Sequence, residues 1–519
     1  VTLLGCAWAL ASPAAQGPDE PTHFEYVQNL VERFKLPGDA GRPEFSTAVV
    51  DGMQAGGTSL GGYPPADIAP NWSLTGWREY NERMRSSPPS TSNGGGPDTT
   101  AGANGPFYYA FAAVGYLLDL HGTWFGQVFT IRLWDILLLL GTTAAAWLLA
   151  GEVFGKQRVL QLVAAGTVAF LPMTTFITET VTTDAMLPCL WTLALWLAAR
   201  VIRRNGQLRD ASALCLITGA AILTKGTSYV LLLPLASAFL AALWLSEPGT
   251  RLATLKRLAA ASSVLVAILV GWFIFARLVG YVGIRQISGD TTAWWHSLHF
   301  LSYLWQWYLP RLPFMHRWNE TPPFVPSYAV WMQEGFGFFG WLSFGVPGWL
   351  YHVVAWAAAL VSTGAAACLS SRSTSPRRVV VTAAVCTAIL LALTLTNQLM
   401  YAASIPMFAL LAILFYGLRG LVNAETRSRS LTLVMLISAA LGLVLLVHIT
   451  DYLVLSTGGT RFAQGRYLLP GVSAVGLCMA YLLSHLPRQI SGAAGGTVLM
   501  LLFGVQVVSL AAVATAFYL

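Results

Sequence analysis

Four ionisable side chains, Asp19, Glu20, His23 and Glu25, fall between Pro18 and Tyr26, directly behind a run from Val1 to Gln16 that carries no charge. The adjacent carboxylates Asp19 and Glu20 repel when both are ionised, which raises the proton affinity of one and suits it to take a proton from an alcohol. Pro18 and Pro21 confine the backbone around them to a defined turn. A solvated acidic turn that starts a helix fits the same residues, because acids are common at helix N-termini. A second acidic pair, Glu179 and Asp184, lies in a short turn between two apolar stretches. A carboxylate that close to hydrocarbon is costly unless paired or hydrated, although Asp184 also suits a helix cap.

Two isolated cations complement these acids. Lys225 interrupts a long apolar stretch, and Arg466 opens another, with Arg461 shortly before it and Tyr467 beside it. A cation at the positive end of a helix needs an anionic partner. A lipid phosphate would serve, gripped by arginine through two parallel hydrogen bonds; snorkelling to headgroups or pairing with protein carboxylates would serve as well. Arg132 and Asp135, three apart on one helix face, are expected to pair with each other. His296, His299, His352 and His448 show no HExxH pattern and no paired carboxylates, so no metal ligand set is expected.

The elements that must carry these residues are set by composition. Of 519 residues, 55% are hydrophobic and 10% charged, against about 25% charged in a soluble domain. The chain reads as an all-α polytopic membrane protein in one domain, 1–519. A membrane helix needs roughly 20 apolar residues, and thirteen windows qualify: 1–16, 125–150, 159–178, 185–202, 211–224, 227–245, 257–280, 347–369, 379–396, 399–417, 431–449, 467–485 and 496–518. The stretch 211–245 is long for one crossing and short for two, so a tight hairpin around Lys225 is expected. The first helix, in a chain that opens on Val1 without Met, is expected to be truncated. No cleavable signal peptide is visible. The six cysteines lie in or beside apolar segments without CxxC spacing and read as small core residues.

Lysines and arginines set orientation. With 1–16 running outward, the inner loops hold Lys156 and Arg158; Arg200, Arg203, Arg204 and Arg209; Arg251, Lys256 and Arg257; Arg372, Arg377 and Arg378; Arg419, Arg427 and Arg429; and Arg488. The short outer loops hold only Lys225, Arg461 and Arg466. This asymmetry accounts for the net charge of +7 without a nucleic-acid partner. Three outer segments remain for chemistry. The first, 17–124, contains a flexible stretch at 86–105 and an amphipathic segment at 107–120 expected along the outer surface. The second, 281–335, is rich in tryptophan, including Trp294, Trp295, Trp305, Trp307, Trp318 and Trp331; such rings suit the membrane interface or stacking on a sugar. The third is 450–465.

The separated segments PDEPTHFEY from Pro18, GPFYYAF from Gly105, the Arg132 segment, FLPMTTFITETVTTDAM from Phe170, LTKGT from Leu223 and AQGRYLLP from Ala463 together resemble a bacterial family of polytopic membrane proteins related to the GT-C glycosyltransferases. That superfamily includes the dolichyl-phosphate-mannose protein mannosyltransferases and the aminoarabinose transferase of lipid A. The resemblance implies a GT-C-like bundle in the cytoplasmic membrane. It implies inverting sugar transfer from a polyprenyl-phosphate donor to a glycan or lipid-linked acceptor on the outer face, with no cofactor beyond the lipid-phosphate sugar itself. The first-loop acid that acts as catalytic base maps to Asp19, with Glu20 beside it, and the second-loop acid to Asp184. Thr183 stands before Asp184 where many relatives have Asn. His23, Glu25, Asp184, Lys225, Arg461, Arg466 and Tyr467 are then expected to bind substrate, with Lys225 and Arg466 on the phosphate. A transporter or flippase for a lipid-linked saccharide needs the same cations and groove but no base.

Overall fold

Hydrocarbon offers backbone N–H and C=O groups no partners, so apolar segments crossing it must satisfy their hydrogen bonds internally as helices. The computed structural model describes residues 1–38, 41–57, 72–86, 90–96, 100–281, 297–318, 325–370, 376–457 and 459–519, and these are mostly helical. In chain order the helices are α1 (Thr2–Ala11), α2 (Glu20–Arg33), α3 (Thr47–Gly56), α4 (Leu74–Ser86), α5 (Phe107–Leu117), α6 (Trp124–Phe154), α7 (Arg158–Ala169), α8 (Pro172–Thr178), α9 (Thr183–Arg203), α10 (Leu208–Ile222), α11 (Leu232–Leu245), α12 (Arg251–Leu278), α13 (Ser297–Tyr308), α14 (Gly348–Ser370), α15 (Pro376–Leu395), α16 (Ile405–Gly420), α17 (Arg427–Ser456), α18 (Val472–Leu483) and α19 (Arg488–Tyr518). Tight 3-10 turns, Gly226–Leu231, Leu399–Ser404 and Gly465–Gly471, lead into α11, α16 and α18. One small antiparallel ribbon joins β1 (Phe338–Phe339) to β2 (Phe344–Gly345), with Phe338 opposite Gly345.

Among the described residues nine helices are long and apolar enough to cross a membrane, or ten if α7 and α8 form one span bent by 62°. The bend falls where Pro172 opens a new helix and cannot continue the preceding hydrogen-bond ladder. Ten of the thirteen expected windows coincide with these spans. The windows at 1–16, 211–224 and 379–396 do form helices. These three, α1 with 10 residues, α10 with 15 and α15 with 20, stand outside the nine or ten candidate spans. The hairpin expected around Lys225 is present as α10, a break at 223–225, and the 3-10 turn into α11.

Helix α9 is the axis of the bundle: 83% of its apolar window is buried, against 17% for α12 and α19, which line the outside. It packs on α6, α10, α11 and the Gly465–Gly471 turn. Small buried residues, Ala194, Ala198 and Ala199 of α9 and Ala238, Ala241 and Ala242 of α11, allow the close approach on which helix packing in lipid depends. At one end of this axis Arg200 pairs with Asp210 at 3.0 Å and Arg203 with Glu152 at 3.6 Å. The start of α9, the end of α10 and the Gly465–Gly471 turn meet at the opposite end.

Helices α2 to α5 of the first long segment pack beside the start of α6 around Phe24, Tyr26, Tyr80, Tyr109, Tyr116 and Trp124. The amphipathic segment is α5, which turns Tyr108, Tyr109 and Tyr116 inward and leaves Phe107, Val114 and Leu117 exposed. In the stretch 86–105, residues 87–89 and 97–99 lie outside the described residues. Gly94 and Gly96 are packed against Glu25, Ser46 and the Arg42 carbonyl, so this part of the stretch is held rather than loose. Of the second segment's tryptophans, Trp294 and Trp295, with His296, lie outside the described residues. Trp307 is buried, stacked on Trp331 at 5.2 Å.

Candidate active site

Two turns and two helix starts bring four charges into contact. Pro21 lies in the first turn of α2, and Asp19 precedes that helix in the left-handed region at φ 59°, a costly backbone state for a residue other than glycine that concentrates at functional sites. Asp19 Oδ2 accepts a hydrogen bond from Arg466 Nη2 at 2.6 Å. Arg466 Nε lies 3.7 Å from Asp184 Oδ2, and Lys225 Nζ donates to Asp184 Oδ1 at 2.6 Å. Asp184 sits in the first turn of α9, where a negative charge is favoured by the helix dipole, and Thr182 accepts its N–H as the side-chain cap. Lys225 and Arg466 both stand over the Tyr467 ring, 4.9 and 5.3 Å from its centre. The partners that the two isolated cations find are thus protein carboxylates. Arg466 Nε and Nη1 are buried with no hydrogen-bond partner. Asp19 is the most open member, its side chain 28% exposed against 5% for Arg466 and Asp184.

The protonation expected of Asp19 is corrected by this geometry. Burial pushes its carboxyl up, but Arg466, His23 and Lys225 outweigh burial and hold it below the usual carboxylate range. Glu20 does not face it. The Glu20 carboxylate receives Arg132 Nε at 2.8 Å and Arg132 Nη2 at 2.6 Å, together with the Ala15 and Val181 N–H groups at 2.9 and 3.1 Å. The expected pair between Arg132 and Asp135 is likewise replaced. Arg132 also donates to the Ala9, Ser12 and Pro13 carbonyls, while Asp135 accepts the Tyr108 hydroxyl at 2.8 Å. Two residues three apart on one helix can face together and still be claimed by different neighbours.

His23 Nδ1 is 2.8 Å from the Tyr109 hydroxyl. Burial drives its pKa down to about 4, against the pull of Asp19, so the imidazole is neutral at pH 7. Glu25 lies in the packing between α2 and the Ser46 turn, where its Oε2 accepts the Ser46 N–H at 3.0 Å; burial raises its pKa to about 8. Glu179 is buried with neither oxygen bonded, near Gly5 of α1, and burial likewise raises it to about 8. Arg461 pairs with Glu334 Oε1 at 2.5 Å, and Glu334 Oε2 accepts the Gly465 N–H at 3.2 Å. So Asp19, Asp184, Lys225, Arg466 and Tyr467 form the cluster, His23 borders it, and Glu20, Glu25 and Arg461 hold its framework. Among the described residues no three His, Cys, Asp or Glu side chains converge to hold a metal ion.

Residues 2–407 match the model of a family described as "Predicted membrane protein (DUF2142)". The chain belongs to this family. No curated protein sequence matches it. Among solved structures, it is similar to the oligosaccharyltransferase of Archaeoglobus fulgidus in complex with Zn and sulfate, with 13% identity over 99% of this chain and 52% of that one and a TM-score of 0.45. It is also similar to ArnT from Cupriavidus metallidurans bound to undecaprenyl phosphate, with 16% identity over 91% of this chain and 75% of that one and a TM-score of 0.28. The chain spans about half the length of the oligosaccharyltransferase.

In this DUF2142 member the quoted sequence segments converge although they are far apart in the chain. Gly105 lies against the Leu223 backbone and the Phe107 N–H donates to the Leu223 carbonyl at 3.2 Å, joining the GPFYYAF and LTKGT turns. The Tyr108 hydroxyl receives the Thr182 N–H at 3.0 Å, joining GPFYYAF to TTDAM. Sequence reading missed Glu334 and Asp451. Asp451 follows the apolar window 431–449 in α17, and an acid at such a position is itself a signal of function; Glu334 lies among aromatics and glycines and gives none. Chemically, the cluster offers one partly open carboxylate beside two cations, one of which carries unspent N–H groups.

Proposed function

We propose that the chain is a glycosyltransferase that uses a polyprenyl-phosphate sugar as donor and an envelope glycan or lipid-linked hydroxyl as acceptor, with the site on the outer face of the membrane. The observation that carries this reading is Arg466: a buried guanidinium whose Nη1 and Nε make no hydrogen bond, Nε having only the 3.7 Å ion pair with Asp184, next to Lys225 and in contact with the partly open carboxylate of Asp19. Buried donors of this kind are costly to leave unmade, and an anion with several oxygens is the ligand that satisfies them; arginine and phosphate match in geometry as well as charge. In the reaction Asp19 takes the acceptor hydroxyl proton as that oxygen attacks the anomeric carbon from the face opposite the phosphate. The bond from that carbon to the phosphate oxygen breaks with its electron pair going to the phosphate, and the configuration inverts. Arg466 and Lys225 stabilise the charge growing on the phosphate, an electrostatic role that is usually a large share of catalysis. Asp184 holds both cations in place, and neutral His23 hydrogen-bonds within the site.

The test is incubation of the purified protein with a panel of polyprenyl-phosphate sugars and candidate acceptors, with products followed by mass spectrometry. Glycosylated acceptor and released polyprenyl phosphate are expected, with turnover lost in Arg466→Ala. Movement of intact lipid-linked saccharide across a proteoliposome membrane without bond cleavage would replace the transferase by a flippase. Retention of activity after treatment with a chelator is expected, since both phosphate contacts assigned here are side-chain cations.

A further inference from the structure

The loop before Arg466 is held from two sides by carboxylates of other elements. Asp451, near the end of α17 and fully buried, accepts the Phe462 and Ala463 N–H groups on one oxygen at 2.7 and 2.8 Å. Its other oxygen accepts the Tyr303 hydroxyl at 2.7 Å. Tyr303 in turn lies 3.3 Å from His448 Nδ1, and the Tyr308 hydroxyl lies 2.8 Å from His448 Nε2, so the carboxylate is itself fixed. On the other side Glu334 grips Arg461 and the Gly465 N–H. Gly465 fits so closely on Gly335 and the Val330 carbonyl that a Cβ there would overlap both.

These contacts direct what an anion can use. Successive backbone N–H groups in a loop make a cradle for anions, yet here the N–H groups of Phe462, Ala463 and Gly465 are already taken by protein carboxylates. The charged donors left at this place are the side chains of Arg466 and Lys225. Three backbone N–H groups of one short loop bonded to two buried side chains suit those side chains to hold the loop still. We propose that Asp451 and Glu334 are positioning residues that fix Arg466 for a phosphate-bearing ligand and tie that site to the aromatic segment around Tyr303 and Tyr308. The proposal rests on the phosphate reading above.

The experiment measures binding of undecaprenyl phosphate to the purified full chain in lipid nanodiscs, together with thermal unfolding, for Arg466→Ala, Asp451→Ala, Asp451→Asn and Glu334→Ala, and for each alanine variant combined with Arg466→Ala. Loss of the charged hydrogen bonds is expected to weaken binding by about tenfold or more in Asp451→Ala and Glu334→Ala. Asp451→Asn should bind within a few fold of wild type, on the order of the net worth of one neutral hydrogen bond, because its carbonyl can accept the same two N–H groups and its amide can donate to Tyr303. In the Arg466→Ala background neither alanine substitution should weaken binding further, as a residue acting through Arg466 requires. An equal loss in that background, or wild-type affinity in Asp451→Ala and Glu334→Ala, would overturn the positioning role. Undiminished binding in Arg466→Ala alone would instead overturn the phosphate reading on which it rests. If Asp451→Ala does not fold, Glu334→Ala read in the same cycle decides.

Discussion

On the proposed reading, Asp19 and a donor phosphate share one guanidinium, that of Arg466. The site holds two carboxylates and two cations in contact, with His23 neutral, so a phosphate bound at Arg466 would lie beside the Asp19 charge and be opposed by it. Asp19→Asn removes the competitor and the base together. Its expected outcome is tighter binding of undecaprenyl phosphate by about tenfold, on the scale of a charged interaction, with turnover lowered by about 10² to 10⁴; weaker binding would remove the competition. The acids outside the spans also set a pH dependence. Glu25 and Glu179, raised to about 8, are protonated in the folded chain and ionised in the unfolded one between about pH 4.3 and 8. Their contribution to stability is full at low pH and is lost as pH rises through about 8. His23 has the opposite sign: lowered to about 4, it contributes fully above about 6.5 and loses that as pH falls towards 4. Melting temperatures should therefore fall as pH rises from about 6.5 to 8 and level off above that, and Glu25→Gln with Glu179→Gln should remove most of that fall. An unchanged alkaline slope in the double variant would show that these carboxyls are not held neutral.

At the scale of elements, the site is presented by turns pinned to helices. Glu20 and Arg132 join the start of α2 to the end of α1 and to α6, both side chains almost wholly buried. Removing one partner of such a pair leaves a buried charge, at a cost of about 3–5 kcal/mol. Glu20→Ala is thus expected to lower thermal stability strongly, and a variant that melts like wild type but has lost turnover would return Glu20 to the chemistry. Gly105 makes the contact between the GPFYYAF turn and Leu223 possible. Gly105→Ala is expected to overpack it, at about 1–3 kcal/mol, and to weaken lipid-phosphate binding by displacing Lys225 two residues on. Both effects are read by melting and binding in nanodiscs. The apolar windows located these elements well, including the hairpin that reverses around Lys225. Three windows, 1–16, 211–224 and 379–396, form helices that stand outside the nine or ten candidate spans; hydropathy reports which segments avoid water and not where a helix ends.

Across the whole molecule, the cluster and the ion pairs of Arg200 and Arg203 stand at opposite ends of α9, which matches the uneven distribution of cations between loops. The expected side of each end is testable with cysteines. Ser92→Cys, at an exposed position of the first long segment, should react with a membrane-impermeant maleimide in intact cells. Glu425→Cys, exposed between α16 and α17, should react only after permeabilisation. The native cysteines are buried or partly buried, which keeps the background low. The reverse pattern would move the site to the cytoplasmic face and with it the class of donor and acceptor.

The sequence by itself determined that this chain lives in a membrane, where its helices run, and that Asp19, Asp184, Lys225 and Arg466 are the charges requiring an explanation. Those conclusions follow from local physics: apolar length, loop charge and the cost of an ion near hydrocarbon. Only the tertiary structure decided which charges meet. It gave Arg132 to Glu20 instead of Asp135, turned Glu20 away from Asp19, set Arg466 against Asp19 over 447 residues of separation, and used Asp451 and Glu334 to hold the loop behind it. Pairings of this kind are contests among several partners of similar strength, settled by distances of one or two ångströms that arise from how the helices pack. Residue spacing along the chain carries no record of that contest.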